Sequence, residues 1–509
     1  MRALAGIAVA AMLLVAGCDS PPTQQAAPTM ALPENAVENA VARLDGIAEE
    51  LMATSEIPGM AVAVVHGGKT VYAKGFGVKD VRTGEKVDPD TVFQLASLSK
   101  PLGSTVVAHQ VGENAIAWDT PIVSKLPWFA LADPAATRMV NIGDMYSHRS
   151  GLPDHAGDPL EDLGYDRRYI LERLRQLPLD AFRISYAYTN FGVTAAGEAV
   201  AVSAGKSWED LSDEVLYRPL GMTSTSSRFA DFEARPNRAV GHIRIEDRYE
   251  PRHLRDPDPQ SPAGGVSSSI NDLTHWLTMM LANGSYGGKQ IVDPKALLPA
   301  LTPQSVSNPP TEPAMRSGFY GYGFNVGTTS AARVQWSHSG AFELGSGTNF
   351  VIIPSADVAI VALTNATPSG IPETLTAEFA DLVQFGEVRE DWRGLYRNAF
   401  QEMGAPEGSL VGKTPPANPT PPAPLVSYVG TYNNDYWGPA KITRADGRLA
   451  LSLGPRGEVW PLTHWDGNVF TFSLVTENAP PGTISAATFD GDKLTLEYYD
   501  TLGNGTFTR

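Results

Sequence analysis

Phe93-Gln-Leu-Ala-Ser97-Leu-Ser-Lys100 opens a predicted helix that continues through Leu102 and Val106. Positions i and i+3 of a helix share one face, so the Ser97 hydroxyl and the Lys100 amine lie within reach of each other. A neutral lysine can take the proton of a serine, and the positive end of the helix dipole favours both a developing oxyanion and an uncharged amine. The pattern therefore predicts that Ser97 is a nucleophile activated by Lys100.

A Ser-x-x-Lys pattern alone is equally compatible with a helix-capping serine followed by a solvated lysine. The chain also contains Ser203-Ala-Gly-Lys206, in a glycine-broken polar stretch with no comparable helix after it. Further motifs are therefore needed to support a catalytic interpretation of Ser97.

The second candidate motif is Tyr188-Thr-Asn190, 91 residues after Ser97. A phenol whose pKa is lowered by neighbouring cations, or one bonded to a lysine, can relay a proton between nucleophile and leaving group. The Asn190 amide can hold a substrate amide by hydrogen bonds. Tyr432-Asn-Asn434, in the β-rich tail, has the same pattern, so this motif is informative only in combination.

The third candidate motif is His338-Ser-Gly340-Ala341, 150 residues after the second and just before a strand-like run. Gly340 lets a substrate backbone lie against the strand edge, and His338 supplies a hydrogen-bond donor. The Ala341 N–H can complete an oxyanion hole with the N–H of the nucleophilic serine. The same His-x-Gly pattern also occurs at His66 and His155.

In order and spacing, the three motifs resemble those of the serine β-lactamase and penicillin-binding protein superfamily. Other stretches resemble connecting segments of its class C branch: Ser147-His-Arg-Ser-Gly-Leu-Pro153, Pro219-Leu-Gly-Met222 and Pro262-Ala-Gly-Gly-Val-Ser-Ser268. The resemblance covers roughly residues 35–390. It implies an α/β fold in which a central antiparallel sheet is flanked by helices, with the nucleophile between them.

The resemblance also implies roles for the motif residues. Ser97 would form the acyl-enzyme, while Lys100 and Tyr188 activate it and move protons. Asn190, together with His338 and Gly340 of the third motif, would position the substrate.

The third motif departs from the Lys-Thr-Gly of true class C β-lactamases. It is more similar to that of D-alanyl-D-alanine carboxypeptidases and D-amino-acid peptidases or amidases. The sequence therefore predicts a serine hydrolase for peptide or amide substrates, including peptides that contain D-amino acids. The alternatives are a carboxylesterase of the same fold, a β-lactamase, and a penicillin-binding sensor that acylates without turnover.

Composition divides the chain into five predicted segments: a signal peptide (1–17), a tether (18–34), the catalytic domain (35–400), a Pro-rich linker (401–425) and a β domain (426–509). Residues 413–424 contain six prolines in twelve positions, which indicates a semi-rigid spacer. The short β-rich segments that follow are separated by Asp-Gly and Gly-Asn turns. This tail is similar in length and placement to the lipocalin-like β domains of some class C-like peptidases.

The first residues resemble a lipoprotein signal. Arg2 precedes an apolar run from Leu4 to Ala16 that is too short to span a membrane. The run ends in Val15-Ala-Gly-Cys18, which resembles a lipobox, and Cys18 is the only cysteine. We therefore expect an exported bacterial lipoprotein on the periplasmic side of the membrane, and Asp19 favours the inner membrane.

Charge and motifs exclude several other functions. The chain holds 39 Lys and Arg against 56 Asp and Glu, a formal charge of -17 that disfavours nucleic acid as a partner. His-Glu-x-x-His, Gly-x-Ser-x-Gly and phosphate-loop motifs do not occur, so no metal or cofactor is predicted. The neighbouring His148, Asp154 and His155 are interpreted as structural. The expected partners are a small peptide, amide or ester substrate, a membrane reached through the lipid anchor, and a second copy in a homo-oligomer.

Overall fold

A computed structural model describes residues 29–509 of the chain. The predicted signal peptide, the lipidation site Cys18 and most of the predicted tether lie outside the described residues. Lipid anchoring and export therefore stay predictions. Within residues 29–509, no helix has the length and apolar character needed to cross a membrane.

Eight antiparallel strands form the central sheet of the larger domain. In sheet order they are Lys69–Gly77, Gly59–His66, Val358–Thr364, Ser346–Ile353, Val334–Phe342, Asn325–Thr328, Gly318–Tyr320 and Ser305–Asn308. Successive side chains of a strand point to opposite faces. In Gly59–His66, alternate residues therefore join two different hydrophobic clusters, one on each face of the sheet. The apolar run from Gly59 to Val65 predicts a buried strand, and the structure has one.

Helices cover both faces of the central sheet. On one face pack Ala36–Val41, Leu44–Ser55 and Ile371–Phe385, with Trp392–Met403 lying on the last of these. The long helices on the other face are Ser99–Gly112, Asn190–Ala204 and Ile270–Leu281. Shorter helices are Ile122–Lys125, Pro134–Met139, Ile142–Tyr146, Asp158–Asp162, Arg167–Arg173, Trp208–Ser212, Arg218–Leu220, Phe229–Ala234, Ser261–Gly264 and Pro294–Leu297. The predicted α/β fold with an antiparallel sheet flanked by helices is confirmed.

The N-terminal helical region differs from its prediction in one respect. The apolar period between residues 34 and 52 predicts one amphipathic helix, whereas the structure has two, Ala36–Val41 and Leu44–Ser55. The break is a tight turn in which the Arg43 N–H bonds to Ala40 O, three residues back. The turn keeps the apolar residues of both helices in one cluster, so periodicity alone does not reveal it.

The C-terminal domain is an eight-stranded antiparallel barrel in which each strand pairs with the next. Its strands are Gly430–Tyr432, Ala440–Ala445, Arg448–Leu453, Val459–Asp466, Val469–Leu474, Thr483–Asp490, Lys493–Leu496 and Thr506–Thr508. Backbone hydrogen bonds of 2.6 and 2.9 Å between Asn433 and Thr508 join the first and last strands and nearly close the barrel. The predicted small all-β domain is confirmed. No helix or strand occurs in the Pro-rich stretch 413–424.

The barrel is attached to the larger domain by buried polar contacts. Thr476 Oγ1 and Asn478 Nδ2 donate to Asp162 Oδ2 at 2.7 and 3.0 Å. Glu477 accepts the backbone N–H groups of residues 343 and 344 at 3.0 and 3.3 Å. Residues 343–344 follow directly on the strand that carries the third motif. The barrel therefore contacts the end of a strand that belongs to the candidate site.

Candidate active site

Ser97 lies in a single 3₁₀ turn just before helix Ser99–Gly112. The buried residue before it, Ala96, has a φ of 48°, a left-handed conformation that is costly for a residue with a Cβ. Ser99 stabilises this turn, because its Oγ donates to Ala96 O at 2.6 Å and accepts from the Val266 N–H at 2.9 Å. The second serine of the motif is thus committed to the fold, while Ser97 stays partly exposed.

Lys100 is fully buried beside Ser97. Its Nζ lies 3.0 Å from Ser97 Oγ, 2.7 Å from Asn190 Oδ1 and 3.1 Å from Ala263 O. The amide and carbonyl oxygens only accept hydrogen bonds, so they occupy two N–H groups of a neutral amine and leave its lone pair for Ser97. Burial lowers the pKa of Lys100 to about 7, although the charge of Asp158 opposes the shift. Near neutral pH the amine can therefore accept the Ser97 proton.

Tyr188 approaches Ser97 from another side. Its hydroxyl lies 2.8 Å from Ser97 Oγ, and Lys100 Nζ lies 4.5 Å from the centre of its ring. Burial raises the pKa of Tyr188 above its ordinary value. The phenol is therefore protonated at neutral pH, which favours Lys100 over a tyrosinate as the base. Tyr188 is then a proton donor next to the nucleophile.

Asn190 connects Lys100 to two residues that the sequence analysis did not assign to the site. Its Nδ2 donates to Asp158 Oδ2 at 2.7 Å, which fixes Oδ1 towards Lys100. His155 Nδ1 contacts the same Asp158 oxygen at 2.8 Å. Sequence reasoning interpreted His155 as structural and overlooked Asp158. The available signal was the i, i+3 spacing of the two residues.

His148 holds the backbone of the second motif by two hydrogen bonds. Its Nδ1 accepts the Thr189 N–H at 3.1 Å, and its carbonyl accepts the Ala187 N–H at 2.9 Å. Burial holds the pKa of His148 well below its usual range, so the ring is neutral. No group of His, Cys, Asp and Glu in residues 29–509 is arranged to hold a metal ion.

The third motif runs past the nucleophile along an open strand edge. Strand Asn325–Thr328 pairs with Val334–Phe342 only as far as Ser337, so that side of residues 338–342 has no neighbouring strand in the described chain. The nucleophile turn packs against this strand, and a Cβ on Gly340 would lie 3.1 Å from Ser97 N. Ala341 is the next residue along this edge. Its N–H as an oxyanion donor stays a prediction.

His338 is held by partners within the protein. Its Nε2 lies 2.7 Å from the Tyr320 hydroxyl, and its Nδ1 lies 2.6 Å from Ser339 O. Burial lowers the pKa of His338 to about 3, so the ring is neutral, donates from Nδ1 and accepts at Nε2. Neither nitrogen has a free N–H in this arrangement. A direct hydrogen bond from His338 to substrate stays a prediction, and it requires one of these two contacts to open.

Gly340→Ala is expected to lower kcat/KM by about 100-fold, the scale of losing one oxyanion-hole donor. The added methyl group would overlap Leu95 O and Thr348 Oγ1 and push the strand away from Ser97. The matched control is Gly327→Ala on the neighbouring strand, where an added Cβ meets nothing within 4 Å. Steady-state kinetics and thermal melts of both variants test this. Unchanged kcat/KM in Gly340→Ala would show that the close approach does not matter.

The second copies of the first two motifs lie away from this cluster. Ser203 Oγ bonds to Ala199 O, and Lys206 forms a surface ion pair with Glu214. Tyr432 is buried in the barrel, where its hydroxyl donates to Tyr428 O. The structure thus brings together Ser97, Lys100, Tyr188, Asn190 and Gly340, with His338 and Ala341 on the adjoining strand.

Fold and site together define a serine hydrolase of the β-lactamase fold. The profile of the Beta-lactamase family matches residues 44–384, and the chain belongs to this family. A second profile, described as a domain of unknown function (DUF3471), matches residues 414–497.

Three curated relatives have different names. Unguisins hydrolase ungD' of Aspergillus campestris is 28% identical over 75% of this chain and 73% of its own length. Penicillin-binding protein 4 of Amycolatopsis lactamdurans is 28% identical over 77% of this chain and 97% of its own. Esterase EstB of Burkholderia gladioli is 24% identical over 67% and 94%.

Solved structures show the same fold at low sequence identity. The octameric penicillin-binding protein homologue from Pyrococcus abyssi has a TM-score of 0.61 at 18% identity, covering 90% of this chain and 98% of that one. The class C beta lactamase from Rhodobacter sphaeroides has a TM-score of 0.55 at 22% identity, covering 68% and 98%. The confirmed membership in the β-lactamase and penicillin-binding protein superfamily rests on the family match and these folds.

Proposed function

We propose that this serine hydrolase acts on peptide or amide bonds, including those of D-amino-acid-containing peptides, through an acyl-enzyme at Ser97. The observation that carries the proposal is the protonated Tyr188 hydroxyl 2.8 Å from Ser97 Oγ. An amine is expelled from a tetrahedral intermediate only when its nitrogen is protonated, whereas an activated ester leaves without a proton. A proton donor at this position is therefore of most use to an amide-cleaving enzyme.

The proposed reaction begins with transfer of the Ser97 proton to neutral Lys100 as Ser97 Oγ bonds to the carbonyl carbon. The oxyanion that forms is stabilised by the N–H groups of Ser97 and Ala341. Tyr188 protonates the leaving nitrogen as the C–N bond breaks, and the proton on Lys100 restores the phenol. In deacylation, water gives a proton to neutral Lys100 as its oxygen attacks the acyl carbon. Lys100 then returns this proton to Ser97 Oγ as the bond between Ser97 and the acyl group breaks and the acid leaves.

Two of the relatives' names favour this proposal and one favours the alternative. An unguisins hydrolase and a penicillin-binding protein are among the relatives, and so is an esterase. A carboxylesterase is therefore the second candidate. Efficient β-lactam hydrolysis is the weaker alternative, because neutral His338 stands where class C β-lactamases have the lysine of Lys-Thr-Gly.

The test compares leaving groups and stereochemistry on one acyl group. We expect kcat/KM for D-alanyl p-nitroanilide to exceed that for the L-enantiomer by about tenfold or more. The p-nitrophenyl ester of the same D-alanyl group is also expected to react. Benzylpenicillin is expected to form an adduct on Ser97 that persists for minutes in intact-mass spectra.

The Ser97→Ala variant is the control for every substrate, since residual turnover in it would indicate a contaminant. Turnover of the ester without either anilide would replace the peptidase proposal with the esterase. Equal rates on both enantiomers would remove the D-amino-acid preference. Rapid loss of the penicillin adduct would indicate a β-lactamase.

A further inference from the structure

A chain of hydrogen bonds leads from the nucleophile to the protein surface. It runs from Ser97 Oγ to Lys100 Nζ (3.0 Å), to the Asn190 amide (2.7 Å), to Asp158 Oδ2 (2.7 Å) and to His155 Nδ1 (2.8 Å). Asp158 is buried, with 2% of its side chain exposed, whereas 54% of the His155 side chain is exposed. A buried site is thereby connected to a group that bulk solvent can protonate.

Asp158 depends on His155 for compensation of its charge. Its Oδ1 has no hydrogen-bond partner among the described residues, and both contacts of Oδ2 are those with Asn190 and His155. Within residues 29–509, His155 is also the only basic side chain within 4 Å of this carboxylate. A buried carboxylate without a cation exerts a stronger field on its surroundings than a paired one.

We propose that His155 is a positioning residue of the active site which, by pairing with Asp158 when protonated, keeps the Lys100 amine neutral and able to accept the Ser97 proton. This inference deepens the proposed function and rests on Lys100 being the base. When His155 loses its proton, Asp158 becomes an uncompensated anion one amide away from Lys100. That anion favours the charged ammonium form, which cannot accept a proton.

The direction of the effect follows from the charges. Burial opposes protonation of His155, but its hydrogen bond to Asp158 and the charges of Asp158 and Asp154 raise its pKa to about 8. His155 is therefore protonated over the range in which Lys100, with a pKa of about 7, loses its proton. While His155 is protonated, the Lys100 amine therefore stays neutral to lower pH.

Other titratable groups face this pathway from every element packed around it. Asp154 Oδ2 lies 3.8 Å from His155 Nε2 and is well exposed, so solvent screens it more than Asp158. Around Lys100, His155 and Asp158 the remaining groups are His148, Glu161, Tyr188, His338, Glu407 of the linker and Tyr436 of the barrel. None of these six forms an ion pair with Lys100, His155 or Asp158 in the described chain.

The test measures the rate of Ser97 labelling by a fluorophosphonate from about pH 5 to pH 9.5. This reagent needs an activated serine but no particular substrate class. In His155→Gln, which keeps a hydrogen-bond donor and removes the charge, the acid limb of the profile is expected to move up by about one pH unit. In Asp158→Asn, which removes the nearer charge, the limb is expected to move down by a similar amount.

The double variant is expected to follow Asp158→Asn, because His155 acts through Asp158. The matched control is His464→Gln in the barrel, whose ring contacts Gly467 O and which is expected to leave the profile unchanged. Shifts of the acid limb in opposite directions in His155→Gln and Asp158→Asn support the proposal. If both variants label Ser97 more slowly but the acid limb does not move, the proposal is overturned, and His155 and Asp158 have only a structural role. Absence of labelling in the wild-type protein would instead overturn the proposed function.

Discussion

Replacement of Ser97 by alanine is expected to lower kcat/KM by about 10⁴-fold or more on every substrate that the protein hydrolyses. Ser97 Oγ lies between Lys100 Nζ at 3.0 Å and the Tyr188 hydroxyl at 2.8 Å. The alanine side chain has no oxygen with which the Lys100 amine and the Tyr188 hydroxyl can exchange protons, and no acyl-enzyme can form. Steady-state kinetics and intact-mass spectra after fluorophosphonate treatment measure the loss.

The chain offers a matched control in its second Ser-x-x-Lys pattern. Ser203→Ala removes a hydroxyl that, among residues 29–509, is bonded only to Ala199 O of the same helix, and we expect kcat/KM and labelling to stay at wild-type values. Retention of more than about one tenth of the activity in Ser97→Ala would assign the nucleophile elsewhere. Ser99 is not a ready substitute, because its hydroxyl is fully buried and bonded at both ends.

Local spacing was sufficient to predict the pairing of Ser97 with Lys100. Three residues of helical or near-helical chain bring the two side chains to one face whatever the rest of the fold does. Tyr188 and Asn190 lie about ninety residues away, and no local rule brings them to Ser97. Their placement could be predicted only because the order of motifs resembles a known superfamily.

The contribution of His155 and Asp158 was not accessible in the same way. Their position depends on a loop that is fastened to the Tyr188 segment by the His155 N–H donating to Tyr188 O at 2.8 Å. That contact joins residues 33 positions apart, and the composition of the loop does not predict it. A histidine and a carboxylate three residues apart are common on protein surfaces. Only the third partner, Asn190, shows that this pair faces the active site.

His338 illustrates the opposite case, in which sequence predicts a more direct role than the structure displays. A histidine two residues before a glycine at a strand edge predicts a hydrogen-bond donor to the substrate. Strand Gly318–Tyr320, however, lies two places away in the sheet and ends in Tyr320, whose hydroxyl occupies Nε2. From sequence alone, the Tyr320-Gly-Tyr-Gly stretch is compatible with an aromatic pocket wall or with a kinked strand edge. Pairing between strands decides such questions, and it depends on register that one sequence does not reveal.

Lys100→Met is expected to lower kcat/KM by about 10³-fold, within the range for removing a general base. Methionine fills much of the same volume but has no group that accepts the Ser97 proton. Tyr188 cannot take over, because burial raises its pKa and keeps the phenol protonated. The control is Lys206→Met at the surface ion pair with Glu214, which is expected to keep wild-type kinetics. Retention of more than about one tenth of kcat/KM in Lys100→Met would show that another group is the base.

The same variant makes a separate prediction for stability. The pKa of Lys100 falls from 10.5 to about 7 on folding, because burial disfavours the ammonium form. Between these values the unfolded chain binds a proton that the folded chain does not, so this group destabilises the fold increasingly as pH falls from about 10 to 7. Lys100→Met lacks this penalty but leaves Asn190 Oδ1 and Ala263 O without a donor, at a cost of about 1 to 3 kcal/mol. The melting temperature of Lys100→Met relative to wild type should therefore rise as the pH is lowered over this range, whereas that of Lys206→Met should not. A difference that does not vary with pH would mean that Lys100 stays charged in the folded protein, and the base of the reaction would then have to be sought elsewhere.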